Sequence, residues 1–405
     1  MTRLLVFIPL LTLAACADVV PPTAVRSGQE ASAAQGAAGY IVVLDAEADA
    51  RPSVNRIRVE RVAGEVRVRP SRVYSGVLQG FAAQLTPAQL AALRARPDVA
   101  YVEEDAPVRL FTTQANPISW GLDRIDDIDL PLDQTFTYTS TGAGVTAYVL
   151  DTGINVNHLD VVGRAGYIPN GSNGDFVGDG HGSAADCHGH GSHVAGTVGG
   201  TYSGVAKGVT IRAGRVVNCT GGGTASMAIA GMDWIRLNGV KPAVVNMSLG
   251  YGNLASVRTA ASSLVAAGFT VVAAAGNGDF AGTPIDACTE SPAGAPTVIT
   301  VGSTTSTDTE SSFSNYGTCV DILAPGSAIY SSDYLVTNQV VTKSGTSMAS
   351  PHVAGVAAQY LQTQPTASPG GVWKAIFTNS VSGTISRHRL SIFYGTPNRF
   401  LFTNY

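Results

Sequence analysis

The chain has 405 residues, room for two or three domains of ordinary size and for a full hydrophobic core. Only 13% of its residues are charged, against about a quarter in an average soluble protein, while glycine alone fills 46 positions. The formal charge of -4 provides no basic field for a phosphate backbone, which argues against a nucleic-acid partner and for a compact, loop-rich extracellular enzyme.

Arg3 and the apolar run from Leu4 to Leu13 read as a signal peptide, too short to remain as a spanning helix. Its end, Leu13-Ala14-Ala15-Cys16, resembles a bacterial lipobox in which Cys16 is lipidated; a plain small-residue cleavage site is the alternative. No later segment reaches the ~18 apolar residues of a transmembrane helix. Setting Cys16 aside leaves Cys187, Cys219, Cys288 and Cys319. An even count in an exported chain reads as two disulfides with three possible connectivities. The sequential pairing, Cys187 with Cys219 and Cys288 with Cys319, is expected because each bond closes a local loop of about thirty residues. A four-cysteine zinc site is the alternative, without CxxC spacing to support it.

Residues 17–38 are rich in Pro, Ala, Ser and Gln and read as a linker. Strands are expected at Tyr40 to Leu44, Gly80 to Leu85 and Val99 to Glu103, with a helix capped by Thr86-Pro87 running to about Arg94 and another between residues 46 and 66. These make a small α+β unit. From Trp120 a long glycine-punctuated region follows. Strands are expected at Gly144 to Leu150, Ala243 to Leu249 and Thr270 to Ala275, and helices opening at His190 and spanning about Ala255 to Ala267. Such apolar strands alternating with helices imply a parallel sheet covered on both faces, whose ligands bind beyond the carboxyl ends of the strands.

Asp151 stands at one such strand end, in Val149-Leu150-Asp151-Thr152-Gly153; alone it would be an Asx turn. His190 lies in Cys187-His188-Gly189-His190-Gly191-Ser192-His193, where metal binding is the alternative, though no HExxH glutamate accompanies the histidines. In Gly345-Thr346-Ser347-Met348-Ala349-Ser350-Pro351 a tight loop opens a buried helix, with Pro351 expected in its first turn, where a missing N–H costs nothing. A serine there has an open hydroxyl beside converging N–H groups, as a nucleophile generating an oxyanion requires; an N-cap serine is the bland alternative.

Asp151, His190 and Ser347 follow the chain order of the subtilisin triad. With these three motifs the chain resembles subtilisin-like serine peptidases of the proteinase K branch, and Trp120-Gly121-Leu122-Asp123-Arg124-Ile125-Asp126 with the cysteine spacings points to its aqualysin-like members. The resemblance implies an α/β, subtilisin-like three-layer fold with a mostly parallel sheet, preceded by a small α+β ferredoxin-like propeptide. The expected division is a signal peptide at 1–16, a linker at 17–38, an inhibitor-type propeptide at 39–112 and the peptidase domain at 113–405, with self-cleavage near Phe111 to Gln114. It further implies a secreted, monomeric endopeptidase acting on proteins and peptides, folded and inhibited by its own propeptide, with a precursor lipid-anchored at Cys16 if the lipobox is used.

By the same resemblance Asn277, after Ala274-Ala275-Gly276, supplies the oxyanion-hole side chain. Gly221, Gly222 and Gly223 form one edge for an extended substrate and Ser248, Leu249 and Gly250 the other, with Ala275 and Gly276 as a pocket wall. Glu290 replaces the branch's usual tyrosine at the base of the P1 pocket, and Tyr251 a usual glycine. Structural calcium is implied at Asp321 with the carbonyls of Pro296 and Val298, and at Asp123, Asp126, Asp127 and Asp133, where Asp127 and Thr135 depart from the usual Gln and Asn. Asp175 and Asp179 read as an acidic solvated loop, with a third ion as the alternative. No catalytic cofactor is implied. A dinucleotide turn at Gly142-Ala143-Gly144 fails because the glycines precede the strand, and an α/β-hydrolase fails because Ser347 stands in GxSxA. An inactive peptide-binding relative is the remaining alternative.

Overall fold

The computed structural model describes residues 38–45, 52–105, 112–279 and 281–405, so the leader, Cys16, residues 17–37 of the expected linker and residues 106–111 lie outside the described residues, while Ala38, expected in the linker, opens the first strand. The chain divides into two units, Met1–Val108 and Arg109–Tyr405.

In the first unit β1 (Ala38–Leu44), α1 (Pro52–Glu65), β2 (Arg72–Tyr74), β3 (Gly80–Leu85), α2 (Pro87–Arg94) and β4 (Val99–Glu104) follow one another. The strands pair antiparallel in the order β2-β3-β1-β4, the ferredoxin-like arrangement. α2 begins where its capping box dictates: the Thr86 hydroxyl accepts the Gln89 N–H at 3.3 Å and Gln89 Oε1 accepts the Thr86 N–H at 3.0 Å. Val42, Val59, Val62, Phe81 and Leu93 close the core between helices and sheet. β2 is a three-residue edge strand, too short for any periodicity to announce it.

The second unit starts with β5 (Thr112–Ala115), α3 (Trp120–Asp126) and β6 (Thr135–Tyr138), β5 and β6 pairing antiparallel. Thr112, placed in the propeptide by the sequence reading, is thus the first residue of a strand in the larger unit. There follow β7 (Thr146–Asp151), β8 (Ala165–Tyr167), α4 (His190–Gly199), β9 (Thr210–Arg215), α5 (Ala225–Asn238), β10 (Ala243–Met247), α6 (Ala255–Ala266) and β11 (Thr270–Ala274). β12 (Ile299–Thr304), β13 (Ile322–Pro325), β14 (Ile329–Ser332), β15 (Val340–Lys343), α7 (Thr346–Thr363), α8 (Pro369–Asn379), β16 (Val381–Ser382), α9 (Arg389–Phe393) and β17 (Arg399–Phe400) complete it.

Nine strands form one sheet in the order β16-β17-β13-β12-β11-β10-β7-β9-β8, parallel except where β16 meets β17. Alternation along β7 shows the layering: Ala147 and Val149 pack with α4, α7 and α8 on one face, Tyr148 and Leu150 with α5 and α6 on the other. Burying a side chain of this kind contributes about 1.5–3 kcal/mol, and this two-sided core holds the strand ends in place. β10 stops at Met247, two residues earlier than expected, because Ser248 turns away from the ladder toward α7.

The helix after Gly345 departs from expectation in one respect. α7 starts at Thr346, so Pro351 lies in its second turn and removes an N–H that would have bonded the Ser347 carbonyl. That carbonyl accepts instead from Ser248 Oγ at 2.8 Å. The proline thereby ties the start of α7 to the end of β10.

Candidate active site

The neighbouring parallel strands β7, β10 and β11 all end on one edge of the sheet, delivering Asp151, Ser248 and the Gly276-Asn277 turn to the same place. Asp151 is buried, and its Oδ1 accepts from His190 Nδ1 at 2.7 Å and from the Thr152 N–H at 2.7 Å. Its Oδ2 is buried with no hydrogen-bond partner.

His190 is the first residue of α4, and the turn that carries it is built on Asp186. Asp186 Oδ1 accepts from the N–H groups of His188 and Gly189 and from Thr152 Oγ1, while Oδ2 accepts from the N–H and Oγ of Ser192. One carboxylate so satisfies orphan donors of the helix start and complements its positive end. Gly191 is required here because any Cβ would collide with the Gly153 carbonyl oxygen. Burial opposes charge on the His190 ring, but the charge and hydrogen bond of Asp151 more than offset it, and the ring is held above the ordinary imidazole value. Lys343 acts in the opposite direction. His193, one turn on, is fully buried and pushed down to about 3 by burial. Its Nε2 donates to the carbonyls of Ile329 at 2.9 Å and Val341 at 3.1 Å, clamping the β14–β15 hairpin to α4. His190 and His193 are thus engaged with Asp151 and with backbone carbonyls, and Cys187–Cys219 and Cys288–Cys319 are disulfides.

Ser347 Oγ donates to the Ser248 carbonyl at 3.1 Å and, among the described residues, makes no hydrogen bond to His190. A chain of hydrogen bonds that the sequence does not announce, Ser350 Oγ to Asn246 Oδ1 at 2.7 Å and Asn246 Nδ2 to Ser248 Oγ at 3.0 Å, orients the Ser248 hydroxyl that holds the Ser347 carbonyl. Asn277 is turned by Thr346, whose N–H and Oγ1 both donate to its Oδ1, at 2.8 and 2.9 Å. Among the described residues its Nδ2 makes no hydrogen bond; it lies beside Gly345, where a Cβ would stand 3.2 Å away.

A cavity of about 410 Å³ is lined by Asp151, His190, Gly221, Gly222, Gly223, Ser248, Leu249 and Gly250, together with Thr152, His188, Val217 and Tyr251. Ala275, Gly276 and Glu290 lie outside this lining. Glu290 approaches both Gly250 and Gly276: its Oε2 would be 3.0 Å from a Cβ on Gly250 and its Cγ 3.5 Å from one on Gly276. Oε2 also accepts the Gly252 N–H at 3.1 Å, which fixes the carboxylate beside the Gly250–Gly252 segment. Arg258 donates to the carbonyls of Cys288 and Glu290 and to Ser291 Oγ.

The acidic groups separate into two kinds. Oxygens of Asp123, Asp127 and Asp133 all lie within 4.8 Å of one another. Burial, with the neighbouring carboxylates, raises Asp123 to about 6 and also raises Asp127. Asp126 stands outside that trio; its Oδ2 accepts the Thr137 N–H at 2.6 Å, its Oδ1 is buried without a partner, and burial lifts it to about 7. Asp321 shares a second cavity of about 210 Å³ with Pro296 and Val298 and is raised to about 6 by burial. Asp175 and Asp179 are different. Both pair with the buried guanidinium of Arg215, at 2.9 and 2.6 Å, Asp175 from a buried position and Asp179 from an exposed loop, so that they serve as partners of a buried cation.

Known proteins carry the same combination. Residues 142–396 match the model of the Subtilase family and residues 39–111 that of Peptidase inhibitor I9. The chain is 46% identical to an extracellular serine proteinase of Thermus sp. (strain Rt41A), over 96% of this chain and 93% of that protein. It is 38% identical to proteinase R of Parengyodontium album, over 90% and 89% of the two chains. The crystal structure of a cold adapted subtilisin-like serine proteinase matches with a TM-score of 0.66 and 45% identity, covering 72% of this chain and all of that one. The chain belongs to the subtilase family and is a serine endopeptidase with an I9 inhibitor segment ahead of its peptidase domain.

Proposed function

We propose that Ser347 is the nucleophile of this endopeptidase, His190 its general base and acid, and Asp151 the group that holds the imidazole and stabilises its charged form. The observation that carries this reading is the 2.7 Å hydrogen bond between Asp151 and His190 at a sheet edge that also presents Ser347 and the uncommitted Asn277 amide. An extended substrate lies between Gly221–Gly223 and Ser248–Gly250 as an added strand. Its N–H takes the Ser248 carbonyl from Ser347, and the freed hydroxyl turns to His190, attacks the scissile carbonyl and passes its proton to the imidazole. The oxyanion is received by Asn277 Nδ2 and the Ser347 N–H, and the imidazolium then protonates the departing amine.

The P1 side chain is taken to enter beside Gly250 and Gly276, where the Glu290 carboxylate, which makes no ion pair among the described residues, favours Lys and Arg by charge-assisted pairing. In a digest of a peptide library, internal bonds are cut and P1 is enriched in Lys and Arg. Glu290→Gln lowers kcat/KM for Lys against Phe at P1 by about tenfold. No internal cleavage overturns the endopeptidase reading, and an unchanged ratio overturns the role of Glu290.

Calcium fits both acidic sites: hard carboxylate and carbonyl oxygens at Asp321, Pro296 and Val298, and at Asp123, Asp127 and Asp133, with the orphan Asp126 Oδ1 beside them. Bound there, the ion supplies structural cross-linking only. Chelation with EDTA lowers Tm by about 5–10 °C, restored by calcium and not by magnesium; an unchanged Tm overturns the assignment.

The secreted precursor carries the I9 segment as inhibitor and folding aid, and self-cleavage ahead of Thr112 leaves β5 intact on β6. Where Cys16 is lipidated, that cut also frees the peptidase from its anchor.

A further inference from the structure

His188 and His190 flank Gly189, whose φ of 93° turns the chain into the first residue of α4. Glycine is required there, because the conformation is left-handed and a Cβ would collide with the Tyr334 ring. Asp186 pins the turn through the N–H groups of His188, Gly189 and Ser192. Both rings then line the cavity of about 410 Å³, with their centroids 6.4 Å apart. His193, the third histidine of the motif, is buried against the β14–β15 hairpin, and Cys187 is closed in a disulfide, so neither lines that cavity.

The triad chemistry uses His190 and leaves His188 without a role. His188 is exposed, and among the described residues its ring makes no hydrogen bond. Its Nε2 lies over one substrate edge, 3.2 Å from where a Cβ on Gly221 would stand. His190 Nδ1 is committed to Asp151 at 2.7 Å, and among the described residues its Nε2 has no hydrogen-bond partner. An imidazole whose one N–H is held by a carboxylate presents the other nitrogen as a lone pair of raised basicity, the arrangement characteristic of imidazole ligands to zinc. Of the charges around this ring, Asp151 and Asp186 favour a cation and Lys343 opposes one. A zinc ion at about 2.0–2.1 Å from two ring nitrogens keeps the ring centroids roughly 5–6 Å apart, so a small rotation of the exposed His188 closes the gap.

We propose that His188 and His190 form an inhibitory zinc site in the cleft. The proposal rests on the endopeptidase reading, in which His190 Nε2 takes the Ser347 proton. An ion bonded to that nitrogen occupies the lone pair the reaction needs, and the enzyme is switched off until the ion leaves. Zinc and an extended substrate compete, because both lie along Gly221. Water completes the coordination, since Asp186 is filled by its five donors and Asp151 is buried behind the ring. Two imidazoles favour zinc over magnesium, which takes oxygen ligands.

The test measures cleavage of a quenched fluorescent peptide by mature wild type and His188→Asn in calcium-containing buffer with zinc or magnesium added, each protein compared with its own rate before addition. Zinc is expected to inhibit wild type competitively with the peptide and reversibly on adding a zinc chelator, and magnesium to leave the rate unchanged. His188→Asn is expected to need on the order of tenfold more zinc, since losing a ligand costs at least the affinity lost with an outer-shell partner. Equilibrium dialysis against zinc, with calcium in excess, reads the site without activity: wild type retains one more zinc than the variant. Wild type untouched by zinc overturns the proposal by itself, even if the variant folds poorly, and so does equal zinc sensitivity in His188→Asn. A mature enzyme that cuts no peptide yet binds zinc through His188 overturns the endopeptidase reading instead.

Discussion

Replacing Ser347 by alanine is expected to lower kcat by about a millionfold, the loss that the same nucleophile shows in subtilisin, and to leave the I9 segment attached. The size follows from what remains. Asn277, held by Thr346, and the cleft edges still bind a peptide, but no group replaces the hydroxyl and His190 has no proton to take. Binding alone gives a residual rate over water and no acyl-enzyme. The loss of processing follows because the same chemistry removes the propeptide. Mass and N-terminal sequence of the purified protein read it directly: wild type begins near Thr112, while the variant retains the preceding unit. Identical processing of both would assign the cut to another protease and leave the Ser347 role to be judged on kcat alone.

Replacing Asp151 by asparagine is expected to cost about a thousand- to ten-thousandfold in kcat/KM. Here the geometry says why. Turned with its NH2 onto Nδ1 an asparagine fixes the wrong tautomer; with its carbonyl oxygen in place it keeps the bonds that Oδ1 accepts from the Thr152 N–H and His190 Nδ1. Its NH2 then occupies the position of Oδ2, buried and without an acceptor. What is lost is the negative charge that stabilises the imidazolium. The pH profile carries the signature. His190 must be neutral to act as base, so activity falls as pH drops through its pKa. In wild type Asp151 holds that pKa above the ordinary value near 6.5. Without the carboxylate, burial and Lys343 push it below, and the acid limb moves to lower pH while the maximum rate collapses. A limb that stays where it was would show that Asp151 does not set the charge state of His190.

Much of this was legible without coordinates because its signals are local. The capping box at Thr86 and Gln89 announces α2, the apolar runs at Thr146 to Leu150 and Thr270 to Ala274 announce central parallel strands, and the glycine-rich motifs around Asp151, His190 and Ser347 mark sharp turns at their ends. Short edge strands such as β2 and β16 were not legible, since two or three residues carry no period.

The sequence by itself determined the family, the triad order, the parallel core and the separate inhibitor segment, because residue type, spacing and periodicity act within one element. Only the tertiary structure decided the rest, because each remaining feature joins side chains far apart in the chain. Pro351 proved to release the Ser347 carbonyl to Ser248, Asp186 to anchor the turn of His190, and Asp175 and Asp179 to neutralise Arg215. A hydrogen bond or an uncompensated charge is a property of two groups in space. Which groups meet is settled by the packing of sheet and helices, and no local pattern contains it.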